Sequence, residues 1–362
     1  MRRPRAIEAL VATSAAFVGG AILGLLAPPP RRSDPIPADP EVRLDAAAID
    51  QHDVADAEAD ADASETGRDF TIEDLDPLPP EAISSTDPDL LLSLIPLTVR
   101  DDDSLAAARR FLGPGRSHGN QGNPAIARHE IDRATCIAGL RGTVLQTAEQ
   151  REICGAPWEV PIHRGDPSAA NVCIDAFEYP GVPCALPIVY VAPWAAQKLC
   201  ALAGKRLCTQ EEWQVACEAD PAGGPPRRYA YGDELDLEIC HTGRRKASQC
   251  DVDNALWKSC PTDTAPAGSF PRCRSRLGVF DQHGNVAEAM SRREDQVVYV
   301  QLKGSAWFYD GVMYADHCRF DPRWHVDRLA ESWHVNYHLG FRCCRDVVPL
   351  AERLRGSAPV PP

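Results

Sequence analysis

The sequence predicts a loop-rich domain of short elements, stapled by disulfides and preceded by a membrane anchor and an acidic linker. Three observations carry that expectation. All fourteen cysteines of the 362-residue chain fall between Cys136 and Cys344, behind an apolar N-terminal run. An even cysteine count behind an export or anchor signal reads as a disulfide framework in an oxidising compartment. The spacings do not suit zinc, because no C-x-x-C occurs and Cys343 and Cys344 are adjacent. Second, Lys198–Cys217 (KLCALAGKRLCTQEEWQVAC) holds two helix signals with a glycine stop between them. Third, the charge is concentrated in one segment. Ser33 to Leu92 carries 18 acidic residues and 2 arginines, a net of −16, against −14 for the whole chain, so the remainder sums to about +2.

Taken in order, residues 1–32 open with Arg2, Arg3 and Arg5 and continue into an uncharged run of 19 residues, Ala9–Ala27. That run is long enough to cross a bilayer. Three prolines follow Ala27 and no A-x-A site precedes them, which favours an uncleaved signal-anchor over a cleaved signal peptide. The expected location is therefore the cell membrane, single-pass through residues 9–27, with the C-terminal domain in the periplasm or at the cell surface. The alternative is a protein secreted after signal cleavage. Arg31 and Arg32 after the span weaken the orienting charge bias.

Residues 33–100 read as an acidic, disordered linker, rich in Asp, Ala and Pro and too poor in apolar groups to offset its chain entropy. Self-repulsion would extend it. Its charge argues against nucleic acid as a partner. Residues 101–156 read as a helical extension. Asp103 or Ser104 can cap a short helix through Leu112, followed by a Gly- and Asn-rich loop, 113–123. That loop lacks a preceding strand and a G-K-[ST], which excludes a phosphate loop. Ile126–Ile153 has helical periodicity in Ile137, Leu140 and Val144, with Cys136 and Cys154 bracketing it as one candidate pair.

In Lys198–Cys217, Pro193 just upstream suits the first turn of a helix. Ala195, Leu199 and Leu202 form one apolar face, and Gly204 is the expected stop. Thr209 and Glu212 then make a T-x-x-E capping box, with Cys208 and Trp213 at the staple positions of a second helix.

Six motifs between about Glu159 and Val348 together resemble the formylglycine-generating enzyme family, the sulfatase-modifying-factor domain. They are Cys173–Pro180 (CIDAFEYP), Tyr190–Cys200, Gly204–Trp213 (GKRLCTQEEW), Gly278–Glu288 (GVFDQHGNVAE), Lys303–Trp307 (KGSAW) and Gly340–Arg342 (GFR). The resemblance implies an α+β, C-type-lectin-like fold over residues 157–348, with 349–362 as a disordered tail. It also implies disulfides from Cys200 to Cys343 and from Cys217 to Cys318. Cys208–Cys344 is a candidate third link, and Cys173, Cys184, Cys240, Cys250, Cys260 and Cys273 are expected to pair locally.

The family's catalytic members use two cysteines, five residues apart, to bind Cu(I) and oxidise a substrate cysteine to formylglycine. The positions that match here are Phe308 and Met313, and a soft ion that needs two thiolates finds neither. The resemblance also implies a Ca2+ site at Asn285 and Glu288 with the Val286 carbonyl, oxygen donors suited to a hard cation. His241 replaces the expected asparagine of a first calcium site. His334 and His338, an H-x3-H with His325 nearby, are the candidates for a mononuclear metal. The expectation is therefore a non-catalytic binding or structural module whose ligand is a peptide, a glycan or an envelope protein, with Ca2+ and without copper. The competing expectation is a Cu- or non-haem-Fe-dependent oxidase or oxygenase with altered ligands.

Overall fold

The fold is organised by two capped helices whose stops and starts lie in the sequence itself. The structure is a computed structural model describing residues 68–75, 84–98, 101–246, 250, 257–311, 316–322, 326–350 and 352. The expected span Ala9–Ala27 lies outside these residues, as do Met313 and His325. No helix among the described residues is long and apolar enough to cross a membrane.

Along the chain come α1 (Pro88–Ser93), α2 (Asp102–Arg109), α3 (Arg133–Leu140), α4 (Ala148–Cys154), β1 (Glu159–Pro161) and β2 (Val172–Asp175). They are followed by α5 (Pro193–Leu202), β3 (Arg206–Leu207), α6 (Gln210–Glu218), β4 (Ala287–Glu294), β5 (Val297–Lys303), β6 (Leu339–Phe341) and β7 (Cys343–Asp346). The result is a mixed α/β architecture. One antiparallel sheet has the order β1-β2-β7-β3. The other, β5-β4-β6, combines an antiparallel hairpin with a parallel pair of β4 and β6.

Helix α5 starts at Pro193, as expected of N1, and runs into Gly204 at φ +63°, a left-handed conformation that glycine adopts without strain. Helix α6 starts on the reciprocal capping box of Thr209 and Glu212. Trp213 on α6 is fully buried in a cluster with Phe177, Phe280 and Met290, while Leu199 of α5 belongs to another buried cluster with Tyr179, Ile188 and Phe341.

Disulfides tie these clusters to the end of the chain. Cys200 bonds to Cys343, Cys208 to Cys344 and Cys217 to Cys318. Cys240–Cys273 and Cys250–Cys260 are local. The candidate pair Cys136–Cys154 is not formed: Cys136 bonds to Cys184 and Cys154 to Cys173. Ile126–Ile153 is not one continuous helix, and each cysteine meets a partner further along the chain, Cys173 on β2 and Cys184 in the loop after it. Gly142 takes φ +72° after α3 ends. Thr147 and Gln150 then form a capping box that restarts the chain as α4. The two cysteines therefore sit on separate helices. Helix α2 is also capped earlier than the expected Asp103 or Ser104, by the Asp101 carboxylate accepting from the Ser104 N–H.

The acidic linker expected over residues 33–100 contains packed segments. Phe70 and Ile72 are buried, with Phe70 edge-on to Trp158 and under the Arg151 guanidinium. Leu91, Leu92 and Ile95 join the α5 cluster. Residues 68–75 and 84–98 are thus part of the fold, because apolar side chains interrupt the acidic composition there.

Candidate functional site

The loop following β5 carries the positions that match the family's copper ligands. It leaves the strand at Lys303, whose Nζ donates to the carbonyls of Cys318 (3.0 Å) and Phe320 (2.6 Å) and lies 5.1 Å from the Trp213 ring centroid. Burial pushes this amine down to about 8, with the nearby Asp321, Asp316 and Glu218 opposing. Lys303 therefore closes the loop onto its own return segment. Within it, Phe308 is buried. Its ring lies 4.9 Å from His338 and 5.5 Å from Trp307, both edge-on. The first matched copper position is thus filled by a packed aromatic ring. All fourteen cysteines are in disulfides, so the chain has no free thiol.

Beneath this loop lies a polar cluster that the sequence did not single out. Ser305 Oγ donates to Asp316 Oδ2 at 2.5 Å and accepts from the Gly284 N–H at 3.1 Å. His283 Nδ1 lies 3.1 Å from the same Asp316 oxygen, off the line of a hydrogen bond. His283 Nε2 accepts from the Ala230 N–H at 3.1 Å and faces the Cys217–Cys318 disulfide. The stacked rings of Tyr229 and Tyr231 meet the imidazole, each at 5.6 Å. His283 and Ser305 stand inside two of the family motifs, but Asp316 lies in none, and only the folded loop brings the three together.

The expected calcium ligands are placed differently from the expectation. Asn285 Oδ1 accepts from the Ala265 N–H at 2.8 Å, and its Nδ2 donates to Glu178 Oε2 at 2.5 Å and to the Ala265 carbonyl at 3.1 Å. Glu288 receives both arms of the Arg342 guanidinium and the Trp213 Nε1–H. The Val286 N–H donates to Glu178 Oε1 at 3.0 Å. The Asn285 side-chain oxygen and the Glu288 carboxylate expected to hold Ca2+ therefore already accept from protein donors, which does not fit an open site for the ion.

What the fold builds there is a buried set of three carboxylates, Glu178, Asp281 and Glu288, around one arginine, Arg342. Burial raises Asp281 to about 7, with Glu288 adding to the rise and the Gly268 N–H and Arg342 opposing it. Burial, then the negative charges of Asp281 and Glu288, push Glu178 well above the ordinary carboxylate range.

His334 and His338 do not lie on a helix. His334 stands outside any helix or strand, its N–H donating to Ser332 Oγ. His338 lies in a turn against Phe308 and Tyr337. Spacing i, i+4 brings side chains together only on a helix.

The chain is 33% identical over 107 residues to a hercynine oxygenase of Mycobacterium tuberculosis, 30% of this chain and 22% of that protein. It is 29% identical over 189 residues to a formylglycine-generating enzyme of Streptomyces coelicolor, 48% of this chain and 55% of that protein. It is 28% identical over 161 residues to an inactive C-alpha-formylglycine-generating enzyme 2 of Bos taurus, 43% of this chain and 49% of that protein. The chain thus spans about a fifth to about half the length of these relatives. The profile of the sulfatase-modifying factor enzyme 1-like domain matches residues 30–347, and the chain belongs to that family.

Proposed function

We propose that this protein is a non-catalytic binding or structural module of the family, anchored through residues 9–27 and displayed outside the cytoplasm. The observation that carries the reading is the filled copper position: Phe308 is packed against Trp307 and His338, and every cysteine is consumed by a disulfide. Cu(I) held by two thiolates has no ligand in this state. Seven disulfides support display in an oxidising compartment. The likeness to an inactive relative points the same way.

A second reading, oxygen chemistry at another metal, draws on the likeness to hercynine oxygenases over 30% of the chain. The two part on a direct assay. The full chain, supplied with Cu or Fe, O2 and a cysteine-containing peptide, is expected to consume no oxygen above the metal-only control and to form no aldehyde. Oxygen uptake that depends on both protein and peptide would replace the first reading with the second.

A further inference from the structure

Three candidate metal donors, two sulfurs and one imidazole, meet at a point the proposed function does not use. The sulfurs of Cys217 and Cys318 and the imidazole of His283 bring one ligand atom each within 4.8 Å of one another, all buried. His283 Nε2 is 3.5 Å from Cys217 Sγ and 4.0 Å from Cys318 Sγ. On the far side of the ring, Nδ1 lies 3.1 Å from Asp316 Oδ2, and Ser305 Oγ holds that carboxylate in turn. Nδ1 is not aligned with that oxygen as it stands, but at this distance a small rotation of the ring would let it donate to the carboxylate, the contact that fixes the tautomer of a histidine ligand and raises its basicity.

Lys303 reaches the Cys318 carbonyl at 3.0 Å, placing one ammonium near the pair to match the Asp316 carboxylate. Bonded to each other, the two sulfurs offer little to a metal. As thiolates they would complete a Cys2His set, a donor combination zinc accepts with a fourth position left open.

We propose that the Cys217–Cys318 bond gates a zinc site. Once the bond is reduced, the two thiolates and His283 Nε2 hold one Zn2+; an external disulfide, itself reduced to two thiols with two protons from solvent, re-forms the bond, releases the ion and closes the site. Opening requires an external two-electron reductant, a phosphine in the test below. The phosphorus is oxidised to the phosphine oxide with oxygen from water, the S–S bond breaks, and the two protons of that water convert the sulfurs to thiols. Zn2+ then displaces both thiol protons to solvent. The Ala230 N–H, now donating to Nε2, has to yield that lone pair, so metal entry displaces the Ala230 backbone. Asp316 acts as a positioning residue through the imidazole.

The test uses the full chain treated with limiting phosphine, with retention of fold followed by circular dichroism and thiols located by alkylation and peptide mapping. In chains opened at this pair, one equivalent of Zn2+ is expected to slow alkylation of Cys217 and Cys318 more than tenfold. His283→Gln, whose amide oxygen can still accept from the Ala230 N–H, is expected to abolish the protection. Asp316→Asn is expected to weaken Zn2+ affinity roughly ten- to a hundredfold while leaving alkylation without metal unchanged. Equal alkylation with and without Zn2+, equal protection in His283→Gln, or a bond that opens only after the fold is lost would each overturn the proposal.

Discussion

Arg342 and Glu288 face each other inside the domain as a bidentate ion pair, Nε to Oε2 at 2.7 Å and Nη2 to Oε1 at 2.6 Å, with both side chains at most 1% exposed. The remaining guanidinium nitrogen donates to the Asp175 carbonyl, and Nη2 also donates to that of Phe280. One side chain therefore ties β6–β7 to β2, to β4 and to the segment before β4. Arg342→Met leaves a buried carboxylate without its partner and is expected to cost about 3–5 kcal/mol in denaturant unfolding. Arg342→Lys keeps the charge but loses the planar fork, and is expected to recover only part of that loss.

The same arginine supplies the positive charge that a metal would otherwise bring to Glu178, Asp281 and Glu288. Calcium is therefore expected to leave the thermal midpoint unchanged. A bound ion at 100 times its Kd adds about 2.7 kcal/mol, so a calorimetric scan with and without Ca2+ resolves the question. A clear rise in midpoint would place an ion in this cluster after all.

Asp281 gives the cluster a pH signature. Its folded value is raised from 3.8 to about 7, so between those values the native state holds a proton that the unfolded chain has lost. The associated stability is fully present below about pH 4 and is lost as pH rises through about 7, with a slope of at most about 1.4 kcal/mol per pH unit. Asp281→Asn is expected to flatten that decline, measured as unfolding free energy at pH steps from 4 to 8.

Lys303→Met tests whether the loop after β5 is held by its own buried amine. Removing Nζ leaves the carbonyls of Cys318 and Phe320 without that donor, at an expected cost of about 1–3 kcal/mol. Hydrogen exchange is expected to rise in the 304–320 segment before it rises elsewhere.

The helices around Lys198–Cys217 were legible because their signals are local. Pro193, Gly204 and the Thr209/Glu212 box each act within a few residues, and the structure uses all of them. The break between α3 and α4 was also written locally, in Gly142 and the Thr147/Gln150 box, but the wider apolar periodicity masked it. The partners of Cys136 and Cys154 depend on where β2 and its following loop pack, which spacing does not encode. The site was less legible still. Asn285 meets Glu178 from 107 positions away, and Glu288 meets Arg342 from 54. Motif matching located these side chains without revealing that they already satisfy one another.

The most direct measurement of the central claim is a count of thiols and redox metal on the same native sample. The full chain, alkylated without reduction and analysed for copper and iron, is expected to carry no alkylated cysteine and neither metal near one per chain after incubation with each. Alkylation at any of the fourteen cysteines, together with copper or iron at near-unit stoichiometry, would contradict a domain whose thiols are spent on holding it together.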